Sequence, residues 1–290
     1  MANYRIVTDA TADLPAALAQ ELNVTVIPME VHLDETEYLY EPTWASLRPD
    51  YFYAQVRDGK SPTTTQINVF AYHSVFDPII AQGEDILYIA FSSALTGSQQ
   101  SARIAANELM EQYPQRKIII VDSLCASLGE GLLVYHAAKH WQAGMSLEAL
   151  TAWVEENRHH LCHWFTVDDL HHLKKGGRVS AAAAAFGTAL KIKPVLHVDD
   201  EGRLTPVSKV QGRRRSLKAL VEQMEVTFLS EQNDVIFIGH GDSLEDAQYV
   251  QKLVQERFGI TNFVIDYIGP VIGAHSGPGT IALFFLGTKK

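Results

Sequence analysis

The sequence predicts an α/β fold in two domains, a doubly wound and mostly parallel N-terminal sheet followed by a second α/β domain with a mixed sheet. In the first part, apolar runs of strand length such as Ile86–Phe91 and Lys117–Asp122 alternate with segments of helical apolar spacing. Further along, short strands interleave with helices, and the acidic turn Asp199–Gly202 favours antiparallel pairing. We therefore expect domains over residues 1–160 and 161–290.

In the N-terminal domain, strands and helices alternate in the order that a parallel sheet requires. Pro15 suits the first turn of the first helix, because its missing N–H would have no partner there. Ser146 is a capping residue for the last helix. The elements are a strand at Arg5–Val7, a helix ending near Leu22, a strand at Val24–Pro28, a hairpin at His32–Tyr40, a helix at Trp44–Arg57, a loop at Lys60–Ile67, a helix ending near Ala81, strands at Ile86–Phe91 and Lys117–Asp122, and helices at Leu128–Trp141 and Ser146–Leu161.

In the C-terminal domain, strands are shorter and mixed pairing is expected. A short helix at Leu170–Lys175 ends at glycines, which favour helix C-termini. The predicted strands are His163–Val167, Pro194–Val198, Leu204–Val210, Val235–Gly239, Phe263–Tyr267 and Thr280–Leu286, and the other predicted helices are Ala181–Leu190, Arg215–Leu229 and Leu244–Phe258.

Composition excludes some classes of function. The formal net charge of -10 argues against nucleic acid as the main partner. No stretch approaches the length of a membrane span, and the chain begins directly with a strand rather than a signal peptide. Cys125 and Cys162 are too few for a disulfide framework and are interpreted as reduced, buried thiols. We expect a cytoplasmic protein.

A junction rich in hydroxyl groups lies between a predicted strand and a predicted helix. It reads FSSALTGSQQSA over Phe91–Ala102. Open α/β sheets place ligands at the carboxyl ends of their strands, and a helix start offers free N–H groups to an anion. A purely structural interpretation makes Thr96 the N-cap, with Gln99 completing a capping box. Both interpretations stay open, because a capping hydroxyl can still donate its own proton to a ligand.

Seven segments, ordered along nearly the whole chain, point to one family. They are VTDATADLP at Val7–Pro15, PTTTQ at Pro62–Gln66, FSSALTGS at Phe91–Ser98, VDSLCASLGEG at Val121–Gly131, DDLHHLKKGGRVS at Asp168–Ser180, LKIKPVL at Leu190–Leu196 and GPVIGAHSGPGTIALFF at Gly269–Phe285. As an ordered set they resemble the DegV family, whose best-understood members are the FakB proteins, the fatty-acid-binding subunits of bacterial fatty acid kinase. The resemblance implies two α/β domains with one long-chain fatty acid between them.

The resemblance also implies a set of residues that bind the fatty acid carboxylate. By motif these fall on Thr64, Thr65, Ser93, Thr96, Gly97 and His275. Ile67 stands where the family has a proline, which costs loop rigidity rather than chemistry. A buried carboxylate loses its hydration, so it needs several hydrogen bonds or its pKa rises.

The resemblance further implies a carrier that is not itself an enzyme and needs no cofactor. It would take a fatty acid from a membrane surface by transient contact and present it to a kinase catalytic subunit, which brings ATP and metal. Arg178 falls at one position implied to dock that subunit, and Arg213 is expected to compensate for a departure at the second. Gln211 departs from the family, which usually has arginine there.

Two other functions stay open. In an acyl hydrolase, Ser93 or Thr96 would be the nucleophile and His275 the base, although the chain has no Gly-x-Ser-x-Gly turn and no evident acidic partner. Binding of a substrate through a histidine, as in dihydroxyacetone kinase, rests only on analogy of fold. The histidine spacings match no compact zinc pattern, so we expect no metal site.

Overall fold

The computed structural model describes residues 3–168, 170–180 and 192–290. The predicted helix at 181–190 and the first two residues of the LKIKPVL segment lie outside these residues. The strands are β1 Tyr4–Asp9, β2 Thr25–Ile27, β3 Met29–Leu33, β4 Thr36–Tyr40, β5 Thr63–Thr65, β6 Asp85–Ala90, β7 Ile118–Asp122, β8 Leu161–Thr166, β9 Ile192–Val198, β10 Leu204–Gln211, β11 Ile236–His240, β12 Phe263–Tyr267 and β13 Ile281–Leu286.

Helices follow most strands, as the βα rhythm predicts. In the described residues they are α1 Ala16–Glu21, α2 Pro49–Arg57, α3 Val69–Ala81, α4 Ser98–Gln112, α5 Leu128–Gln142, α6 Leu147–Asn157, α7 His171–Lys175, α8 Arg213–Thr227, α9 Leu244–Phe258 and α10 Pro270–Ser276, with short 3-10 turns at Ala10–Ala12 and Ser230–Gln232. None of these helices is long and apolar enough to cross a membrane.

The first sheet is parallel throughout and has the strand order β2-β1-β6-β7. Strand β6 is buried along almost its whole length, which explains its continuous apolar sequence. All four carboxyl ends meet at one edge, so the loops that follow β1, β6 and β7 come together there.

The second sheet is mixed and has the order β10-β9-β8-β13-β11-β12. Strands β11 and β12 pair in parallel, whereas the other neighbours pair antiparallel. The acidic turn at Asp199–Gly202 connects β9 and β10 as an antiparallel pair, as the sequence predicts. The α/β class with one parallel and one mixed sheet is thus confirmed.

A third, small sheet forms within the first half of the chain. It has the order β4-β3-β5, and its strands are antiparallel. The prediction of a loop at Lys60–Ile67 missed β5, because this three-residue strand depends on long-range pairing with β3. The pairing sets Thr64 opposite Val31, and the alternation of a strand then directs Thr64 and Thr65 to opposite faces.

Two helix boundaries differ from the sequence prediction. Helix α2 begins at Pro49 rather than Trp44, because Trp44 has a φ of 56°, which belongs to the left-handed region and not to a helix. Helix α6 ends at Asn157, and Leu161 already belongs to β8. Ser146 caps α6 as predicted, since its side chain accepts from the N–H of Ala149.

One apolar core joins the parallel and the mixed sheet. Helix α5 contacts β8, β11 and β13 as well as the turn after β1. The buried cluster around it includes Leu87 and Ile89 of the parallel sheet together with Phe237 and Phe284 of the mixed sheet. Strands up to β7 lie in the first and third sheets and later strands in the second, while the division at residues 160 and 161 stays a prediction because the core is shared.

Both cysteines are buried and unpaired. Burial raises the pKa of the Cys125 thiol to about 12 and that of the Cys162 thiol to about 11. A buried thiol with a raised pKa is a poor nucleophile, so neither residue is suited to covalent chemistry.

Candidate functional site

A cavity of about 570 Å³ lies between the carboxyl edge of the parallel sheet and the mixed sheet. Apolar side chains supply most of its wall, among them Phe91, Phe165, Val198, Val271, Ala282 and Phe284. Thr280, just before β13, and Ala282 and Phe284 within it alternate along the chain with their side chains on the cavity. The cavity therefore extends along this strand, from the loop after α10 towards His163, which pairs with Phe284.

Several polar lining residues lie at the α10 end of the cavity, whereas His163 lies at the other end. Thr64 on β5 and His275 on α10 both line it, and Thr64 Oγ1 lies 2.9 Å from His275 Nε2. This contact joins two segments that are 211 residues apart in the sequence. The structure thus brings together two of the residues that the resemblance implied.

Thr96 lines the same end of the cavity but does not cap α4. The N-cap of that helix is Gly97, and the Gln99 amide donates to the carbonyl of Phe91 instead of closing a capping box. Thr96 Oγ1 accepts from the N–H of Ser98 at 3.2 Å and lies 2.9 Å from Ser98 Oγ. Either hydroxyl can donate in the contact between Thr96 and Ser98, and Thr96 keeps its own proton for a ligand only when Ser98 is the donor.

Ser93 and Gly97 complete the turn that borders the cavity. Both are exposed lining residues, and the N–H of Ser93 donates to Asp122 Oδ1 at 3.2 Å. A Cβ added to Gly97 would lie 2.6 Å from Gln66 Oε1, so only glycine lets Gln66 approach the turn this closely. Gln66 itself lines the cavity.

Thr65 lies outside the cavity. Its side chain is on the opposite face of β5, is exposed, and contacts His32 Nε2 at 2.7 Å. Of the two adjacent threonines, the structure therefore brings only Thr64 to the cavity, as the alternation of the strand requires.

The two implied docking arginines have different surroundings. Arg178 is half-buried, lines the polar end of the cavity and donates to the carbonyl of Gly176. Arg213 begins α8, where its Nε donates to Asp246 Oδ2 at 2.7 Å and its Nη2 donates to the carbonyl of Gly279 at 2.5 Å. The Arg213 side chain is thus bound to other residues of the second half of the chain. Arg178, in contrast, adds a positive charge to the lining of the cavity.

His275 is a neutral ring at neutral pH. Burial lowers its pKa to about 4, and the nearby charge of Arg178 acts in the same direction. Its Nδ1 is buried, and the described residues provide no hydrogen-bond partner for it. The side chain that His275 contacts is Thr64, not Ser93 or Thr96. His275 also has no acidic partner among the described residues. The geometry therefore gives no support to a nucleophile and base pair for an acyl hydrolase.

A chain of buried hydroxyl groups supports Thr96 from behind. Ser98 contacts the hydroxyl of Tyr72, which lies 2.9 Å from the hydroxyl of Tyr88. Tyr88 in turn donates to Asp9 Oδ2 at 2.8 Å. The chain leads from the cavity to the end of β1, so the position of Thr96 depends on residues that do not touch a ligand.

Asp9 is the acceptor at the end of this chain. It also accepts from the N–H groups of Thr11 and Phe91 and from the Thr11 hydroxyl. Burial raises the pKa of Asp9, and these donors act against that rise. Four donors on one carboxylate favour its charged form.

Glu130 on α5 lies beside Asp9 and holds a proton. Its Oε1 lies 3.0 Å from Thr8 Oγ1, which also lies 3.0 Å from the carbonyl of Ile89. A hydroxyl has one proton and the carbonyl can only accept, so both contacts are satisfied only when Glu130 donates. Burial and the neighbouring Asp9 accordingly raise the pKa of Glu130 well above its ordinary value. Asp9 of the VTDATADLP segment and Glu130 of the VDSLCASLGEG segment are both buried, and neither lines the cavity.

Several lining residues were missed by the sequence analysis. Ser276 follows His275, is buried, and has an Oγ without a hydrogen-bond partner among the described residues. His163 lies at the other end of the cavity, where its ring meets Phe284 at 5.3 Å between centroids. Gln66 belongs to the PTTTQ segment and Ser276 to the GPVIGAHSGPGTIALFF segment. Their place in these segments was the feature of the sequence that could have identified them as lining residues. No cluster of three potential metal ligands occurs in the described part of the chain.

Comparisons with known proteins agree with this geometry. The model of the DegV family, described as an uncharacterised protein family, matches residues 3–288. The chain belongs to the DegV family. A DegV domain-containing protein of Clostridium perfringens is 44% identical over 290 residues, covering 100% of this chain and 99% of the relative.

Two solved DegV-fold structures are similar over nearly their whole length. A DegV family protein from Thermus thermophilus, described by its fatty acid binding, has 30% identity, a TM-score of 0.84, and coverage of 98% of this chain and 99% of that one. A stearic acid-binding protein from Eubacterium ventriosum has 26% identity, a TM-score of 0.86, and coverage of 97% of both chains. The two-sheet fold of this chain is therefore that of the DegV family.

The ionisation of His275 gives a direct test of the site. In the ligand-free protein we expect its ring to titrate with a pKa of about 4, below the ordinary value of 6.5. A carboxylate placed against the ring favours its charged form and raises this pKa. NMR titration of the ring protons, assigned with His275→Gln, measures both values. A ligand-free pKa near 6.5 would contradict a buried neutral ring.

Proposed function

We propose that this protein binds one long-chain fatty acid in the cavity and presents its carboxylate to a partner kinase. The observation that carries the proposal is the division of one cavity into an apolar length along β13 and a polar end at Thr64, Thr96 and His275. The fatty acid binding described for the structural relatives supports it.

The polar end suits a carboxylate. Thr64 and Thr96 offer hydroxyl groups, the turn offers the Ser93 hydroxyl and the Gly97 N–H, and Arg178 offers charge. Each hydrogen bond to a charged group contributes about 1.5–3 kcal/mol net. Three such bonds are enough to keep a desolvated carboxylate ionised, which is the form that can act as a nucleophile.

The apolar length suits an acyl chain. A buried methylene contributes about 0.8 kcal/mol, so a long acyl chain supplies on the order of 10 kcal/mol before ordering costs. A volume of about 570 Å³ is within the ordinary range for a site that encloses a small ligand. Affinity therefore comes mainly from the tail, while the polar end sets its direction.

The chemistry of the proposed reaction belongs to the partner. One carboxylate oxygen attacks the terminal phosphorus of ATP, a C(O)O–P bond forms, and the bond to the bridging oxygen breaks to release ADP. This chain would orient the carboxylate and keep water from the product. Such a role lies in the cytoplasm, where ATP is supplied, and includes a transient contact with the membrane surface from which a fatty acid is taken.

We expect the double variant Thr64→Ala, Thr96→Val to fold but to lose its fatty acid during purification. Each substitution removes one donor from the carboxylate, at a cost of about 1–3 kcal/mol. Mass spectrometry of an organic extract from the denatured protein measures the amount of fatty acid per chain, and a melting curve of the lipid-free protein measures folding.

The matched control is Thr65→Ala. It removes a hydroxyl from the same strand but from the face that meets His32, so it should retain the fatty acid as the wild type does. Equal retention by all three proteins would place the carboxylate elsewhere.

The basic start of α8 is the surface that we propose for kinase docking. The bond between Arg213 and Gly279 holds this helix start against the loop that follows His275. Arg213 is paired internally, while Arg215 and Lys218 on the same helix are exposed. Exposed cations on a helix whose start is joined to the loop after His275 suit an acidic partner surface, since complementary charge speeds encounter.

We expect the variant Arg215→Glu, Lys218→Glu to retain its fatty acid but to be phosphorylated slowly. Reversal of two exposed charges slows association, and the effect is largest at low salt. The measurement is acyl phosphate formation with a bacterial fatty acid kinase catalytic subunit and MgATP.

The control reverses Arg103 and Lys252, which are exposed on α4 and α9, helices that do not line the cavity. Equal rates for both charge-reversed proteins at low salt would refute docking through α8. A wild-type protein that carries fatty acid but is never phosphorylated would refute presentation to a kinase and leave fatty acid binding intact.

A further inference from the structure

A second, smaller cavity lies directly beside the polar end of the first. Its volume is about 230 Å³. Thr64, Arg178 and His275 line both cavities, so these three side chains form the wall between them. The other lining residues include Ser61 just before β5, Thr63 at its start, and His172 and Lys175 on α7.

The charge of this second cavity is positive although the whole chain is acidic. Arg178 and Lys175 supply two cations, and none of the described residues that line it is acidic. Lys175 is exposed and its Nζ lies 2.5 Å from Ser61 Oγ, a contact that crosses from the second half of the chain to the first. An anion with several acceptor oxygens fits such a lining.

Close packing places α7 against His275. A Cβ at Gly176 would lie only 2.2 Å from His275 Nδ1, so a larger residue there would force the helix end away. Because Gly176 is small, Lys175 and Arg178 reach the same cavity from either side of it. The packing of Gly176 against His275 therefore fixes the positions of Lys175 and Arg178 beside the proposed carboxylate site.

We propose that the second cavity is a phosphoryl subsite, which holds the phosphoryl group of an acyl phosphate whose acyl chain fills the first cavity. In an acyl phosphate the phosphorus is bonded to the carboxyl oxygen, so its site must adjoin the carboxylate site. The shared wall of Thr64, Arg178 and His275 meets this requirement. A phosphoryl dianion also matches two cations and hydroxyl donors.

The size and lining of the cavity favour a phosphoryl group over a nucleotide. Its volume of about 230 Å³ is small, and Pro62 and Ala274 are the apolar side chains among its described lining residues. No aromatic platform for a base is present among them. This inference rests on the proposed function, and it explains how the carrier holds its product. Lys175 lines only the second cavity, so it would contact the phosphorylated ligand and not the free fatty acid.

The experiment compares binding of three probes at a pH where the phosphonate is dianionic. The probes are 2-oxoheptadecylphosphonate, which replaces the bridging oxygen of an acyl phosphate with a methylene, hexadecanoate, and inorganic phosphate. Lys175→Met is compared with Lys174→Met, which removes a neighbouring exposed cation that lines neither cavity. Calorimetry gives the dissociation constants, and the phosphorus resonance reports the environment of the phosphonate.

We expect Lys175→Met to weaken phosphonate binding about tenfold or more, the loss of one charge-assisted hydrogen bond, with hexadecanoate unchanged. Lys174→Met should resemble the wild type, and Lys175→Arg should restore most of the phosphonate affinity. Equal effects of the two methionine variants would overturn the proposal, as would a wild type that binds hexadecanoate but not the phosphonate.

Two further outcomes separate this inference from its foundation. Inorganic phosphate that binds as tightly as the phosphonate, and with the same dependence on Lys175, would indicate a free-phosphate site and overturn the acyl phosphate assignment. Failure of both hexadecanoate and the phosphonate to bind would overturn the proposed function itself.

Discussion

A carboxylate that leaves water must find hydrogen-bond donors already in place, and the polar end of the main cavity offers polar groups that meet this constraint. Its hydroxyl groups lie on separate elements, Thr64 on the small sheet and Thr96 in the turn after β6, and His275 of α10 contacts Thr64. Donors on one flexible loop would lose entropy on binding, whereas donors on packed elements are ordered beforehand. Residues from all three sheets, or from the segments that follow their strands, therefore meet at the polar end of the cavity.

The support of these donors extends well beyond the cavity. Thr96 rests on Ser98, which leads through Tyr72 and Tyr88 to Asp9. A buried polar network of this kind is stable only when each member is satisfied. Asp9 and Glu130, whose pKa values burial raises, are thus part of the scaffold of the site, and neither lines the cavity.

Sequence reasoning predicted the parts of the fold that depend on local pattern. The buried strands β6 and β7 and the capping of α6 by Ser146 follow from apolar runs and from one side chain. The resemblance to a family directed attention to Thr64 and Thr96, which both line the main cavity, because those motifs carry the residues in order. These features need no knowledge of long-range contacts.

Features set by long-range packing could not be predicted in the same way. Only the pairing of β5 with β3 decides that Thr64 and not Thr65 reaches the cavity. The sequence around Arg178 is typical of a solvated surface. In the structure, however, Arg178 follows the turn at Gly176 and Gly177 and lines the cavity. The second cavity lies where the end of α7 packs against His275, a contact that no local pattern encodes.

The orientation of a bound fatty acid tests the central claim most directly. A crystal structure with ω-bromohexadecanoic acid gives the bromine position from anomalous scattering, independently of the shape of the density. We predict the carboxylate within hydrogen-bond distance of Thr64 and Thr96, and the bromine at the other end of the cavity, near His163 and Phe284. Bromine beside Thr64 and His275, or a ligand outside this cavity, would contradict the account.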